Sequence, residues 1–276
     1  MKMKKLHQSI ILVTILLTTQ GTTAKTLAYE AQKDSLVPST KDAIALMQNI
    51  CGTGNVNQKN GKVGCKVCPS FTAYRGQPGG SLTSVVYGSF TQVGTREALV
   101  DLSDCEPHAG NWGGTVLLRR TNNNWSRIRY EQGVRSNICL KIPNSQGRHS
   151  LVCQGSYSGM GYFISYLDQF EVGATKTKYN HLLRVESNSG TCQRPYYEML
   201  MQDFTLQDTN QDGRADLVVK VSETREPKTN STPTRSQCED RPRLPKPTYH
   251  QLTFLSNGQT FRPTPATAKL IKQLEP

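Results

Sequence analysis

Asp208-Thr209-Asn210-Gln211-Asp212-Gly213-Arg214-Ala215-Asp216 is the segment whose side-chain spacing asks for a particular chemistry. Asp208, Asn210 and Asp212 place three oxygen-bearing side chains at alternate positions, Gly213 supplies a sharp turn, and Asp216 follows three residues later. Calcium takes six to eight oxygen ligands, and a looped chain offers them at this spacing. The predicted ligands are the side chains of Asp208, Asn210, Asp212 and Asp216 with the carbonyl of Arg214. In EF-hand order these occupy the first, third, fifth, ninth and seventh places. Val219 stands at the twelfth, where a bidentate Glu belongs, so a standard EF-hand is excluded. The flanks agree: Met199–Phe204 and Leu217–Val221 read as strands, not helices.

A calcium loop between two strands resembles those of FG-GAP or VCBS-type repeats, found in integrin-α-like β-propellers and in secreted bacterial proteins. The resemblance covers this loop and its flanks well and the rest of the chain weakly. It implies a loop that stiffens one end of a blade, with ligand contacts on other loops. The sequence offers no general base beside the loop, so the metal is expected to be structural and to take no direct chemical role. A turn rich in Asp, Asn and Gly without metal is the alternative, since these residues favour turns anyway.

The eight cysteines raise a second question of chemistry. Cys65-Lys66-Val67-Cys68 allows three readings: disulfide partners, most simply with Cys51 and Cys105; a redox pair; or a zinc site completed by Cys105 and His108. Pro69 follows Cys68 where a c-type haem site needs His. Cys139 and Cys153 lie on two strands joined by the turn-forming Pro143-Asn144-Ser145-Gln146-Gly147, which places them near opposite each other and predicts a bridge. By similar locality Cys192 and Cys238 bracket the third repeat described below.

Arg119, Arg120, Arg127, Arg129 and Arg135 cluster around Trp125 and Tyr130. Basic residues interleaved with aromatics suit a polyanion, but Arg127 and Arg129 alternating with Ile128 and Tyr130 is also the pattern of a half-exposed strand. No nucleic-acid-binding motif is present. Nor is there a H-E-x-x-H, a G-x-S-x-G or a phosphate-cradling glycine loop. Asp101, Asp104 and Glu106 lie close together and read as a polar strand end.

The elements that would position these residues are mostly strands. Residues 1–24 read as an export signal: Lys2, Lys4 and Lys5, then the apolar run Ile10–Leu17, too short to span a bilayer, then small residues before cleavage after Ala24. Its removal lowers the formal net charge of +12 to about +9. No later segment suits a membrane span, and cysteines in an exported chain suit disulfides. Residues 25–38 read as a disordered leader. Residues 39–80 read as a cysteine-bearing segment with a helix capped by Ser39 or Thr40 and apolar at Ala43, Ile44, Met47 and Ile50.

From 81 to 276 short strand-like runs alternate with turns, which gives an all-β domain of small antiparallel sheets. Residues 222–247 hold five prolines and read as an exposed insertion, and Thr264-Pro265 starts a short closing helix. A motif recurs from Phe90 to Leu99, Ile142 to Leu151 and Phe204 to Leu217, the last longer by the length of the metal loop. Its spacing predicts four-stranded blades, hence a partial β-propeller or a curved stack of sheets. The expected protein is a secreted or periplasmic, monomeric, disulfide-bonded, calcium-stabilised β-repeat protein. It binds an envelope polyanion, glycan or protein rather than transforming it. A secreted hydrolase and a polyanion-binding module are the alternatives.

Overall fold

The computed structural model describes residues 32–191, 193–227 and 244–275. The export signal at 1–24, the leader as far as residue 31, Cys192, Cys238 and residues 228–243 of the insertion lie outside the described residues. The class is all-β, with two sheets and two short helices.

Helix α1 (Thr40–Cys51) starts where Ser39 Oγ accepts the N–H of Asp42 at 3.2 Å and stops at Gly52. The following strands are β2 (Val56–Lys59), β3 (Lys62–Cys65), β4 (Ser81–Gly88), β5 (Arg96–Ser103), β6 (Gly113–Thr121) and β7 (Asn124–Gln132). They pair in sequence order into a six-stranded antiparallel sheet. One face takes the apolar stripe of α1, with Leu46 and Met47 against Val85, Val100, Val116 and Leu118. The other face, with Val86, Leu99 and Leu117, packs on Leu151, Phe170 and Val172 of the second sheet. Covered on both sides, β5 is buried from Glu97 to Leu102, as expected for the inner layer of a three-layer stack.

The second sheet holds β8 (Ile138–Pro143), β9 (His149–Gly159), β10 (Tyr162–Val172), β11 (Thr177–Ser187), β12 (Tyr197–Gln207), β13 (Asp216–Arg225), β14 (Thr248–Ser256) and β15 (Phe261–Pro263) in that order. A two-residue strand β1 (Gln32–Lys33) adds parallel to β8. This sheet curls into a half-barrel. Its concave core of Leu217, Val219, Leu252, Phe254 and Phe261 is closed by Leu274 of helix α2 (Pro265–Leu274). Thr264 caps α2 through its Oγ1, with Pro265 at the first turn.

Three sequence expectations differ from the structure. Residues 32–38 are not a disordered leader: Gln32 and Lys33 pair with β8, and Leu36 exchanges backbone hydrogen bonds with Val85. The recurrent motif marks three hairpin junctions, β4–β5, β8–β9 and β12–β13, but the strands run on into sheets of six and nine, not four-stranded blades. Residues 222–225 of the insertion belong to β13, where Glu223 pairs with Thr248. In each case backbone pairing with a distant strand supplies what polar side chains do not signal.

The chain passes from the first sheet to the second through residues 133–137, of which Ser136 and Asn137 are buried. Buried backbone groups need partners, and side chains provide them. Thr115 Oγ1 donates to the Val134 carbonyl at 2.7 Å, and Ser35 and Ser84 hydroxyls donate to the Ser136 carbonyl at 2.7 and 3.2 Å. Asp101, with no exposed surface, accepts the Ser136 N–H at 2.9 Å and both arms of the Arg135 guanidinium at 2.9 and 2.6 Å. Thr83 also donates to it. Removing one member of a buried pair leaves the other charge uncompensated. Asp101→Ala should therefore lower unfolding free energy by about 3–5 kcal/mol. Adding Arg135→Ala should cost less than the sum of the single effects. Urea unfolding of the single and double variants measures both.

Candidate functional site

The oxygen-rich segment Asp208–Asp216, expected from sequence to hold a metal, is the β12–β13 turn. Backbone pairing runs up to Gln207 and Asp216 and stops there. Within the turn Asp208 accepts the N–H groups of Asp212 and Gly213 at 3.1 and 2.9 Å, Asn210 Oδ1 accepts Asp212 N–H at 3.2 Å, and Asp212 accepts Arg214 N–H at 2.9 Å. Gly213 has φ 79°, the left-handed region that spares only a residue without Cβ. Oxygens of Asp208 and Asn210 thus converge on one side of the turn, with Asp212 in reach.

Two features depart from the expected ligand set. Asp216 is fully buried and turned into the protein, where its oxygens accept Thr209 N–H at 3.1 Å, the Thr209 hydroxyl and Ser256 N–H at 2.9 Å. The Arg214 guanidinium covers Asp212 at 2.8 Å and holds its carboxyl below the usual carboxylate range. Among the described residues no group of three or more His, Cys, Asp or Glu side chains gathers to hold a metal. The residues that fit a cation are Asp208, Asn210 and Asp212, whose carboxylate and amide oxygens keep lone pairs beyond their backbone bonds. Asp216 fits instead as a brace.

The cysteines resolve into Cys51–Cys65, Cys68–Cys105 and Cys139–Cys153 disulfides, with no free thiol among the described residues. The Cys65/Cys68 pair is therefore neither a redox dithiol nor a zinc site here. Cys139 and Cys153 are direct register partners on β8 and β9. Cys192 and Cys238 are outside the described residues. The carboxylates Asp101, Asp104 and Glu106 do not converge: Asp104 bonds Ser103, and Glu106 accepts Tyr130 OH at 2.8 Å and Ala73 N–H at 3.1 Å. That bond and burial push the Tyr130 phenol up.

The five arginines do not form one patch. Arg119 donates to the fully buried Glu97 at 2.9 and 3.1 Å, and Arg135 is bound to Asp101. Arg129 reaches into the second sheet, donating to the Gly173 carbonyl at 3.0 Å, to Thr177 and to Glu131. Arg120 lies over Trp125 and Arg127 over Phe71. Alternation along the strands sends them to different faces, and three serve as counter-ions of acids.

A feature not signalled by the sequence reading is the loop between β5 and β6. Asp104, Asn111 and Trp112 all have positive φ, at 70°, 55° and 58°. Such a backbone is unusual for a bulky side chain and costs about 1–3 kcal/mol. The loop is held by Asp104 N–H on the Trp112 carbonyl at 2.6 Å and Trp112 N–H on the Pro107 carbonyl at 3.2 Å. Gly113 must follow, because a Cβ there would meet the Leu102 carbonyl at 2.2 Å. The result is a Trp112 ring 54% exposed, 5.2 Å from the His108 ring, which in turn stacks on Tyr157 at 5.1 Å. Trp112 borders a cleft of about 600 Å³ that also takes in Lys62, Thr83, Asp104, Arg135 and the start of α1. A tryptophan between Asn111 and the glycine pair Gly113-Gly114 is the signal that could have pointed here.

Compared with known proteins, the chain matches no family model, no curated protein and no solved structure. Three disulfides suit an oxidising compartment, and among the described residues no helix is long and apolar enough to cross a membrane.

Glu131 ties the two sheets together. Burial disfavours its charge, but hydrogen bonds from Thr177, Tyr179 and Arg129 outweigh that and hold its pKa below the ordinary 4.5. A depressed folded-state pKa adds stability that is fully present above 4.5 and is lost as pH falls through the lower folded value. Glu131→Gln should therefore narrow the gap between melting temperatures at pH 7 and at pH 3, measured beside the parent protein.

Proposed function

We propose that this is an exported binding protein of the cell envelope or extracellular space, and that its ligand occupies the Trp112 cleft. The observation that carries the reading is Trp112 itself, a large half-exposed ring held in unfavourable backbone at the mouth of a cleft of about 600 Å³. Backbone strain of this kind persists where surrounding structure over-determines it, and it clusters at ligand sites. The cleft pairs that ring with Asp104, Lys62 and Thr83 at its polar side, so a ligand with one apolar face and one hydrogen-bonding edge suits it. The chain has two tryptophans, so a Trp125→Phe variant makes Trp112 the single fluorophore. A panel of extracellular glycans, peptides and polyanions should contain a ligand that shifts its emission. Trp112→Gly should weaken that ligand at least tenfold while melting no lower than the parent, since glycine removes the left-handed strain. No emission change across the panel, or equal affinity in Trp112→Gly, removes the cleft from consideration.

We propose further that calcium stabilises the β12–β13 turn, as the resemblance to FG-GAP or VCBS-type loops implies. Asp208, Asn210, Asp212 and the Arg214 carbonyl would hold it, and the ion would neutralise the two exposed carboxylates and stiffen the hairpin. Arg214 already places positive charge on Asp212. Binding to the folded state alone adds about 1.4 kcal/mol at ten times the dissociation constant. EDTA should lower the melting temperature by a few degrees, Asp212→Ala should abolish that response, and Arg214→Ala should increase it. A melting curve indifferent to EDTA and calcium rules the metal out.

A further inference from the structure

A second concave site lies at one end of the half-barrel. Three turns meet there: β8–β9 around Ser145, β12–β13 with Arg214, and β14–β15 around Gly258. Ser145 N–H donates to the Gly258 carbonyl at 2.9 Å, and the Arg214 side chain reaches within 4.0 Å of the position a Gly258 Cβ would take. Beneath the β8–β9 and β14–β15 turns is a cleft of about 340 Å³ floored by the concave face of β9, β10 and β11, at the small end of the ligand-pocket range of about 300–1,000 Å³.

Its lining is built for hydrogen bonding. Ser150 is 2% exposed, and its hydroxyl has no hydrogen-bond partner. Buried hydroxyls are nearly always paired, because desolvation without a bond is costly. Gln169 is 4% exposed and fixed at both ends of its amide: Nε2 donates to the Gln259 carbonyl at 2.6 Å, and Oε1 accepts Phe261 N–H and Asn180 Nδ2 at 3.3 Å each. That last bond holds the Asn180 amide through its Nδ2. Glu171 and Lys178 close the site as an ion pair at 3.5 Å, with Arg148 on the same carboxylate at 3.1 Å. Side chains locked by their own hydrogen bonds, around one buried hydroxyl without a partner, are the pattern of a preorganised polar site.

The chemistry selects the class of ligand. An apolar molecule would leave Ser150 and Asn180 unsatisfied. The acid in the lining already carries two cations, so a metal gains little, and Ser150 and Asn180 on the floor bring no charge to hold a free anion. What remains is a neutral molecule that carries donors and acceptors on neighbouring atoms. Vicinal hydroxyls do this, each giving one proton and accepting two. We propose that this barrel mouth binds a neutral saccharide unit, with Ser150 and Asn180 bonding adjacent hydroxyls and the Glu171–Lys178 pair bonding the outer edge. The site is separate from the Trp112 cleft and does not depend on it.

Saturation-transfer NMR with N-acetylglucosamine, methyl α-glucoside and methyl β-galactoside on the full mature chain tests the assignment, with phosphate and acetate as charged controls in thermal-shift assays. At least one sugar should bind and the anions should not. Asn180→Ala, a partly exposed position that leaves the core intact, should raise its dissociation constant about tenfold, the loss of one well-placed hydrogen bond. Ser150→Val should abolish binding. Trp112→Ala should leave it unchanged. Absence of saturation transfer with all three sugars overturns the proposal, as does equal binding in Asn180→Ala. Binding that disappears only in Trp112→Ala assigns the sugar to the other cleft and also overturns it.

Discussion

The buried Asp101–Arg135 pair governs how the two sheets are put together. Asp101 lies on the enclosed strand β5, and Arg135 comes from the β7–β8 connection between the sheets. A chain segment routed through an interior must find a partner for every peptide group. Here the partners are Ser35 from the segment after β1, Ser84 on β4, Thr115 on β6 and Asp101 on β5. A buried ion pair adds little net stability over a well-packed apolar one, but breaking it is costly. Its consequence is therefore positional: these bonds hold Val134, Arg135 and Ser136 in place between the sheets. The same device recurs at Glu97, which accepts the N–H groups of Phe90 and Thr91 at 2.7 and 2.8 Å together with Arg119 and so fixes the β4–β5 turn.

The disulfides act on the periphery of this arrangement. Cys51–Cys65 ties α1 to β3, and Cys68–Cys105 ties the segment after β3 to the end of β5. Both lie on the side of the molecule that carries the strained loop, and Tyr74 N–H donates to the Cys105 carbonyl at 3.1 Å. The backbone cost at Asp104, Asn111 and Trp112 is thus held in place by a covalent anchor at one end and the β6 pairing at the other. At the opposite end of the protein Cys139–Cys153 closes the β8–β9 hairpin. There the turns of the half-barrel hold each other through Ser145, Gly258 and Asp216, whose buried carboxylate joins the metal loop to Ser256 on β14. The two candidate ligand sites differ accordingly: one displays a ring on a strained loop, the other a polar floor on regular strands.

Much of the architecture was legible before folding was considered. Alternating apolar residues placed most of the strands, Ser39 and Thr264 marked the starts of both helices, and a turn-forming segment of the right length put Cys139 opposite Cys153. Strand ends were less legible. β9 continues to Gly159, although Gly155, Ser156 and Ser158 carry no apolar signal, because pairing with β10 keeps them in the sheet. The spacing of Asp208, Asn210 and Asp212 predicted an oxygen-lined turn, and these three face it. Asp216 kept the spacing but turned inward, since a donor on β14 lay within reach.

Local residue order determined what needs only neighbours: caps, hairpin turns, the alternation of strands and the oxygen-rich loop. These depend on interactions a few residues apart, and their geometry is set by the backbone. What only the tertiary structure decided is the partner of each charge and the grouping of the strands. Arg119 and Arg135 look like a basic patch in sequence and are counter-ions of Glu97 and Asp101 in space. The recurrent hairpins look like blades and are parts of two continuous sheets. Neither outcome is encoded in a window of sequence, because the desolvation of a carboxylate and the pairing of a strand edge depend on what arrives from elsewhere in the chain.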